Sequence, residues 1–177
     1  MEQIRAVEAR DAAAIRQIYA PYIVGSAVSF ELTVPSEGEV RRRISEYTRH
    51  APWLVCEIDG RVAGYAYASK HREREAYRWT VEVSVYVDKA FHKRGVARRL
   101  YTQLFRDLEN LGFCLILSGI TLPNEPSVKF HEAMGFTPIG TYRRIGFKLG
   151  QWHDVGWWEL WIASSDGPPK AVSYVPG

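Results

Sequence analysis

The chain has 177 residues, 46% of them hydrophobic, and a formal net charge of +3. That length fits one domain with a substantial core, and the composition excludes global disorder. The mild charge gives no reason to invoke nucleic acid or a membrane surface, and no apolar stretch is long enough to span a bilayer.

Ile4 to Val7 reads as a short first strand. Asp11 is placed to cap a helix reaching about Tyr19, with Ile15, Ile18 and Tyr19 on one face. Pro21 to Pro35 reads as irregular helix and loop. Ser36 and Glu39 have the spacing of a capping box, and the helix after them turns Val40, Ile44 and Tyr47 inward. Trp53–Ile58 and Arg61–Ala68 are strands joined by Asp59-Gly60, a hairpin signal. Lys70 to Arg78 is a charged loop, and Thr80 to Val87 the next strand. From Gly95 to Leu111 the leucines at 100, 104, 108 and 111 keep helical spacing. Gly112 ends that helix, and Phe113 to Gly119 is apolar throughout, as a central strand requires. Pro126 suits the first turn of a short helix over Ser127–Met134. Tyr142–Phe147 and Val155–Ile162 form a last antiparallel pair around Gly150. Ala163 to Gly177 reads as a mobile tail after a single domain over residues 1–163. The order of elements predicts a mixed α/β sheet with helices on both sides. The N-terminal MEQIRAVEARD lacks the apolar core of a secretory signal. Cys56 and Cys114 sit in apolar runs and read as buried free thiols of a reducing cytosol, so a cytoplasmic protein is expected.

The segment Glu82–Leu100, EVSVYVDKAFHKRGVARRL, carries the first chemical signal. A strand, a glycine-containing turn and a helix start together make an anion site. The first N–H groups of a helix have no internal partner, and the helix dipole adds partial positive charge there. The turn lacks the Gly-Lys-Ser/Thr of a Walker A loop and is not GxGxxG.

His92-Lys93-Arg94-Gly95-Val96-Ala97 resembles the Gln/Arg-x-x-Gly-x-Gly/Ala loop of the GCN5-related N-acetyltransferases, with His in place of Gln or Arg. Leu122-Pro123-Asn124-Glu125-Pro126-Ser127, followed by Lys129 to Phe136, resembles the second half of that family. Trp79 to Val87 and Gly150 to Trp158 are similar to its phosphinothricin and methionine-sulfoximine acetyltransferase subgroup. The similarity runs from about Ile4 to Ile162. It implies a mostly antiparallel central sheet flanked by helices and splayed where acetyl-CoA binds. It implies acetyl-CoA as co-substrate, with no metal. Contacts are expected from the backbone of Val85, Tyr86 and Val87, the loop His92, Lys93, Arg94, Gly95, Val96, Ala97 and Arg98, and Asn124 and Ser127.

The implied reaction is direct attack of a free amine on the thioester in a ternary complex. The amine needs a base. Glu82 interrupts an apolar strand just before the cofactor segment, and the resemblance gives its position that role. His131 occupies the place where many relatives carry a tyrosine. It is either a proton donor to the departing thiolate or a packed structural histidine. His153 and Asp154 read as structural. Arg72 and Arg78 are candidates to hold a substrate carboxylate. Phe30, Tyr77 and Trp79 are candidate walls. In this subgroup the early loop often comes from a neighbouring subunit, so a homodimer is implied. The expected acceptor is a small, carboxylate-bearing amine of the phosphinothricin or methionine-sulfoximine type, and a peptide N-terminus stays open. An acyl-CoA sensor without catalysis is the alternative. A nucleic-acid role for Arg41–Arg43 is weakened by the even spread of acidic residues.

Overall fold

The computed structural model describes residues 2–163 and 167–173. In chain order the elements are β1 (Glu2–Ala6), α1 (Ala12–Val24), α2 (Glu37–Tyr47), β2 (Trp53–Ile58), β3 (Arg61–Lys70), β4 (Thr80–Val87), α3 (Val96–Asn110), β5 (Leu115–Leu122), α4 (Glu125–Ala133), β6 (Thr137–Lys148) and β7 (Gln151–Trp161). The strands form one seven-stranded sheet in the order β1-β2-β3-β4-β5-β7-β6. Every neighbouring pair is antiparallel except β4 with β5.

Strand alternation divides the sheet into two apolar faces. Leu54, Cys56 and Ile58 of β2, with Ala66 and Ala68 of β3, face α3. The alanines leave room for the helix to lie close, and its Leu100, Tyr101, Leu104 and Leu108 are fully buried. Trp53, Val55 and Tyr65 point the other way, against Ala12, Ile15 and Ile18 of α1 and Val40 and Ile44 of α2. The Asp59-Gly60 hairpin forms as expected, both residues having positive φ (50° and 77°). Both cysteines are buried and free. Among the described residues no helix is long and apolar enough to cross a membrane.

Four local expectations are corrected. Asp11 does not cap α1 with its side chain; the carboxylate turns back to Arg5 (2.8 Å to each nitrogen) and to the Glu8 N–H. α1 does not stop at Tyr19 but runs through Pro21 to Val24. Burial of Ile23 offsets the hydrogen bond that proline cannot make. Ser36 does accept the Glu39 N–H at 3.1 Å, but the Glu39 carboxylate leaves the capping box for Arg42 and Arg43. β6 and β7 also start earlier than the apolar pattern marks, because β6 is an edge strand and mostly exposed.

Of the expected tail, 164–166 and 174–177 lie outside the described residues. Residues 167–173 run along the sheet end. The Lys170 carbonyl accepts from Trp79 Nε1 at 2.7 Å, and the Ser173 N–H donates to Leu111 at 2.9 Å.

Candidate active site

β4 and β5 are the one parallel pair, and their pairing is short. It holds Thr80 with Leu115, Val81 with Ile116 and Glu82 with Leu117, and then ends. Beyond Glu82 the strands diverge. β5 stays paired to β7 through Leu122, and β4 stays paired to β3 through Val87. A wedge therefore opens inside the sheet, with Glu82 at its fork. Val83–Val87 forms one wall and Ser118–Thr121 the other, around a cavity of about 580 Å³. The inner edge of β4 here has no strand partner, so its polar backbone groups face a ligand-sized space.

The mouth of the wedge is the glycine loop. Positive φ at Lys93 (59°) and Gly95 (75°) turns the chain sharply into α3. The first backbone bond of the helix runs from Arg99 N–H to the Gly95 carbonyl at 3.1 Å. The N–H groups of Val96, Ala97 and Arg98 thus have no intrahelical acceptor, and these residues line the cavity with His92, Lys93 and Gly95. The free donors, the helix dipole and the charge of Lys93 and Arg98 suit an anionic group such as a pyrophosphate. Arg94 is not a lining residue; its guanidinium lies over the Phe91 ring, 5.3 Å from the centroid. His92 bonds inward through Nε2 to the Val87 carbonyl (3.1 Å), which also accepts from the Tyr22 hydroxyl at 2.7 Å. It thereby ties the loop to the end of β4.

Val85, Tyr86 and Val87 line the cavity from β4, and Asn124, Ser127 and His131 line it from α4. Asn124 caps α4 by accepting the Ser127 N–H at 3.3 Å, which leaves its side-chain amide donor available. His131 is buried and committed at both ring nitrogens. Nδ1 meets the Ser127 carbonyl at 2.8 Å, and Nε2 meets Ser118 Oγ at 3.0 Å and Tyr101 Oη at 3.3 Å. A carbonyl only accepts, so the proton sits on Nδ1 and Nε2 accepts from the hydroxyls. Burial pushes the imidazole pKa down, outweighing the Ser127 bond that raises it, and favours the neutral ring.

Glu82 is half-exposed, and its Oε1 lies 2.8 Å from Nδ1 of His71. No motif in the sequence singles out His71. Its one signal is position, just past the end of β3, where Ser69 pairs with Glu82.

The expected substrate residues are not brought to the wedge within one chain. Arg72 and Arg78 line a separate cavity of about 160 Å³ at the start of β4. Arg78 stacks on Trp79 (4.2 Å) and pairs with Glu75 (3.5 Å), and the Trp79 indole is tied to Lys170. Arg72 is exposed and makes no ion pair among the described residues. Phe30 packs across Gly146 and beside His153, on the β6–β7 hairpin. His153 Nε2 bonds the Lys148 carbonyl and Asp154 accepts the Arg144 N–H, so both stabilise that hairpin. Among the described residues no group of three or more His, Cys, Asp or Glu is placed to hold a metal ion.

The model of the acetyltransferase (GNAT) domain matches residues 4–157. The chain belongs to the GNAT acetyltransferase family. It is 43% identical over 170 residues to the phosphinothricin N-acetyltransferase of Streptomyces viridochromogenes, covering 96% of this chain and 92% of the relative. It is 30% identical over 166 residues to the L-methionine sulfoximine/L-methionine sulfone acetyltransferase of Salmonella typhimurium, covering 93% and 97%. Among solved structures, the Sinorhizobium meliloti phosphinothricin acetyltransferase in complex with AcCoA superposes with a TM-score of 0.91 at 31% identity, covering 96% of this chain and 93% of that one. The splayed wedge is thus a GNAT sheet, in agreement with the loop motif.

Proposed function

We propose that this GNAT enzyme transfers the acetyl group of acetyl-CoA directly to the amine of a small amino-acid-like substrate, of the phosphinothricin or methionine-sulfoximine type. The observation that carries the reading is the fork at Glu82. One carboxylate stands where two strands part, and a cavity with an anion-binding helix start opens behind it. The similarity to the phosphinothricin and methionine-sulfoximine enzymes supports the acceptor class.

Bound in the wedge, acetyl-CoA supplies an activated acetyl group. The free N–H groups at the start of α3 hold its pyrophosphate, and Asn124 and Ser127 border the arm that follows. Glu82 takes one proton from the substrate ammonium, directly or through water, so that the nitrogen lone pair can attack the thioester carbon. A free β4 N–H within Val85–Val87 steadies the oxyanion. The C–N bond forms, the C–S bond breaks, and the second proton lost by the nitrogen ends on the thiolate. His131 keeps the Ser118 and Ser127 wall in place as a neutral ring.

Of the two arginines, Arg72 is our assignment for a substrate carboxylate. It lines the small cavity and not the wedge, but it is exposed and makes no ion pair among the described residues, whereas Arg78 is already engaged. A homodimer is supported by the β6–β7 hairpin, where Ile139, Tyr142, Ile145, Phe147, Leu149 and Trp152 are all exposed. The two buried free thiols fit a cytoplasmic setting.

The test is Glu82→Gln, assayed by thiol release from acetyl-CoA against a panel of amino-acid analogues and simple amines. Turnover is expected to fall severalfold or more while acetyl-CoA binding, measured by calorimetry, persists. Unchanged turnover across the pH range would remove Glu82 as the base.

A further inference from the structure

The Glu82 carboxylate has a neighbour with no task in the transfer reaction. We propose that this neighbour, His71, is a positioning residue for Glu82. Its imidazole donates Nδ1–H to Oε1 and leaves Oε2 for the acceptor amine. The inference rests on Glu82 being the base of an acetyl transfer.

The geometry supports a built pair rather than a chance surface contact. The bond is 2.8 Å long, and the His71 side chain is only 16% exposed against 35% for Glu82. The histidine is therefore the shielded member and the carboxylate the one presented outward. Ring edges from two other elements fix the imidazole: Tyr77 at 5.6 Å, from the loop, and Trp157 at 6.3 Å, from β7. Both contacts are close to perpendicular, at interplanar angles of 76° and 75°. Trp157 in turn lies against Gly119 of β5. The ring is thus braced by both sides of the fork.

The surrounding charges do not compete for His71. Lys70 pairs with Glu73 at 3.4 Å, and Arg72 is exposed. Among the described residues Glu82 is the one ionisable group within hydrogen-bond reach of the ring. A lone carboxylate on a strand rotates among rotamers, and a donor on one oxygen selects one of them. The other oxygen keeps its lone pairs for the incoming proton. Such a positioned base contributes more than an identical mobile one, because orientation is settled before reaction.

Three variants test this in the full chain, with thiol release as the readout. His71→Phe keeps the packing and removes the donor. His71→Asn returns a donor close to the place of Nδ1. His71→Phe in a Glu82→Gln background asks whether the histidine acts through the carboxylate. We expect His71→Phe to lower kcat about tenfold, the effect of losing a hydrogen bond to a charged group. The KM for acetyl-CoA should stay within about twofold, as for a group acting on the reaction and not on cofactor binding. His71→Asn should recover most of the loss. In the Glu82→Gln background His71→Phe should change kcat by less than about twofold, because the two residues act as one unit. Wild-type kcat in His71→Phe overturns the proposal. So does an undiminished tenfold loss in the Glu82→Gln background, or His71→Asn as slow as His71→Phe. A wild-type chain that releases no thiol with any amine would instead refute the acetyl-transfer reading itself.

Discussion

Gly95→Ala probes the phosphate cradle with a magnitude that follows from the backbone. Gly95 has φ +75°, and a Cβ built there would lie 2.9 Å from Arg99 Nη1. Holding an L-residue in the left-handed region costs about 1–2 kcal/mol. The clash is with the flexible end of a side chain, so Arg99 can swing away. It then gives up its bond to the Arg94 carbonyl and its pairing with Glu2, both exposed and together worth less than about 1 kcal/mol. The sum is about 2 kcal/mol, which in a domain of this size lowers Tm by about 4–8 °C. The loop can relieve part of that strain only by moving the N–H groups of Val96 and Ala97. Losing one donor to a pyrophosphate weakens binding by about tenfold or more. Gly60→Ala is the control. It has φ +77°, no atom within 4 Å of the added Cβ, and a place on the β2–β3 hairpin outside the cavity. It should lower Tm by roughly half as much, on the backbone cost alone, and leave acetyl-CoA affinity untouched. Thermal scanning and titration calorimetry read the two effects. If Gly95→Ala lowers Tm no more than Gly60→Ala and binds acetyl-CoA as wild type does, the Gly95 turn does not shape the phosphate cradle.

Leu104→Ala, at a fully buried position on α3, should cost about 2–5 kcal/mol in urea denaturation; less than about 1 would mean the helix is not seated as described. His131 makes stability pH-dependent in a defined direction. Burial keeps the ring neutral in the fold, while the unfolded chain takes up a proton near 6.5, so stability should fall as pH drops below that value. His131→Gln should flatten this part of the Tm–pH curve, and an unchanged slope would exclude the cause. Trp152→Arg, on the exposed β6–β7 hairpin, should convert a dimer to a monomer by light scattering; a wild-type chain that is already monomeric would refute the proposed interface.

Several parts of the site are legible in a linear sequence because they depend on local chemistry. The glycine loop before α3 needs one left-handed residue and a helix start, and both lie within a few positions of Gly95. The leucines of α3 repeat with the helical period, so the periodicity alone marks the buried face of that helix. Asn124 precedes Pro126 and Ser127 as an N-cap should. Less regular elements are harder to read. Pro21 masks the last turn of α1, because the burial of Ile23 that sustains the helix is a tertiary effect. The exposed edge strand β6 gives only a weak alternation, since its register against β7 shifts at Pro138–Gly140 and again at Tyr142–Gly146.

The substrate side of the site follows the same division. Arg72 and Arg78 look equivalent in a charged loop, yet Arg78 is stacked on Trp79 and Arg72 is not. Phe30 reads as a possible wall, whereas its ring lies over Gly146, where any Cβ would collide with it. His71 shows nothing in the sequence, since its meaning depends on the β3–β4 register that sets Ser69 opposite Glu82.

The family, the cofactor loop and the identity of the candidate base are written in the order of the residues. They depend on residue types at short spacing, where backbone geometry leaves few alternatives. The parting of β4 and β5 at Glu82 is not written there, because strand divergence depends on which partners each strand keeps. Nor is the histidine that stands behind that carboxylate from another strand end. Hydrogen bonds between residues distant in sequence exist only once the sheet has set their register.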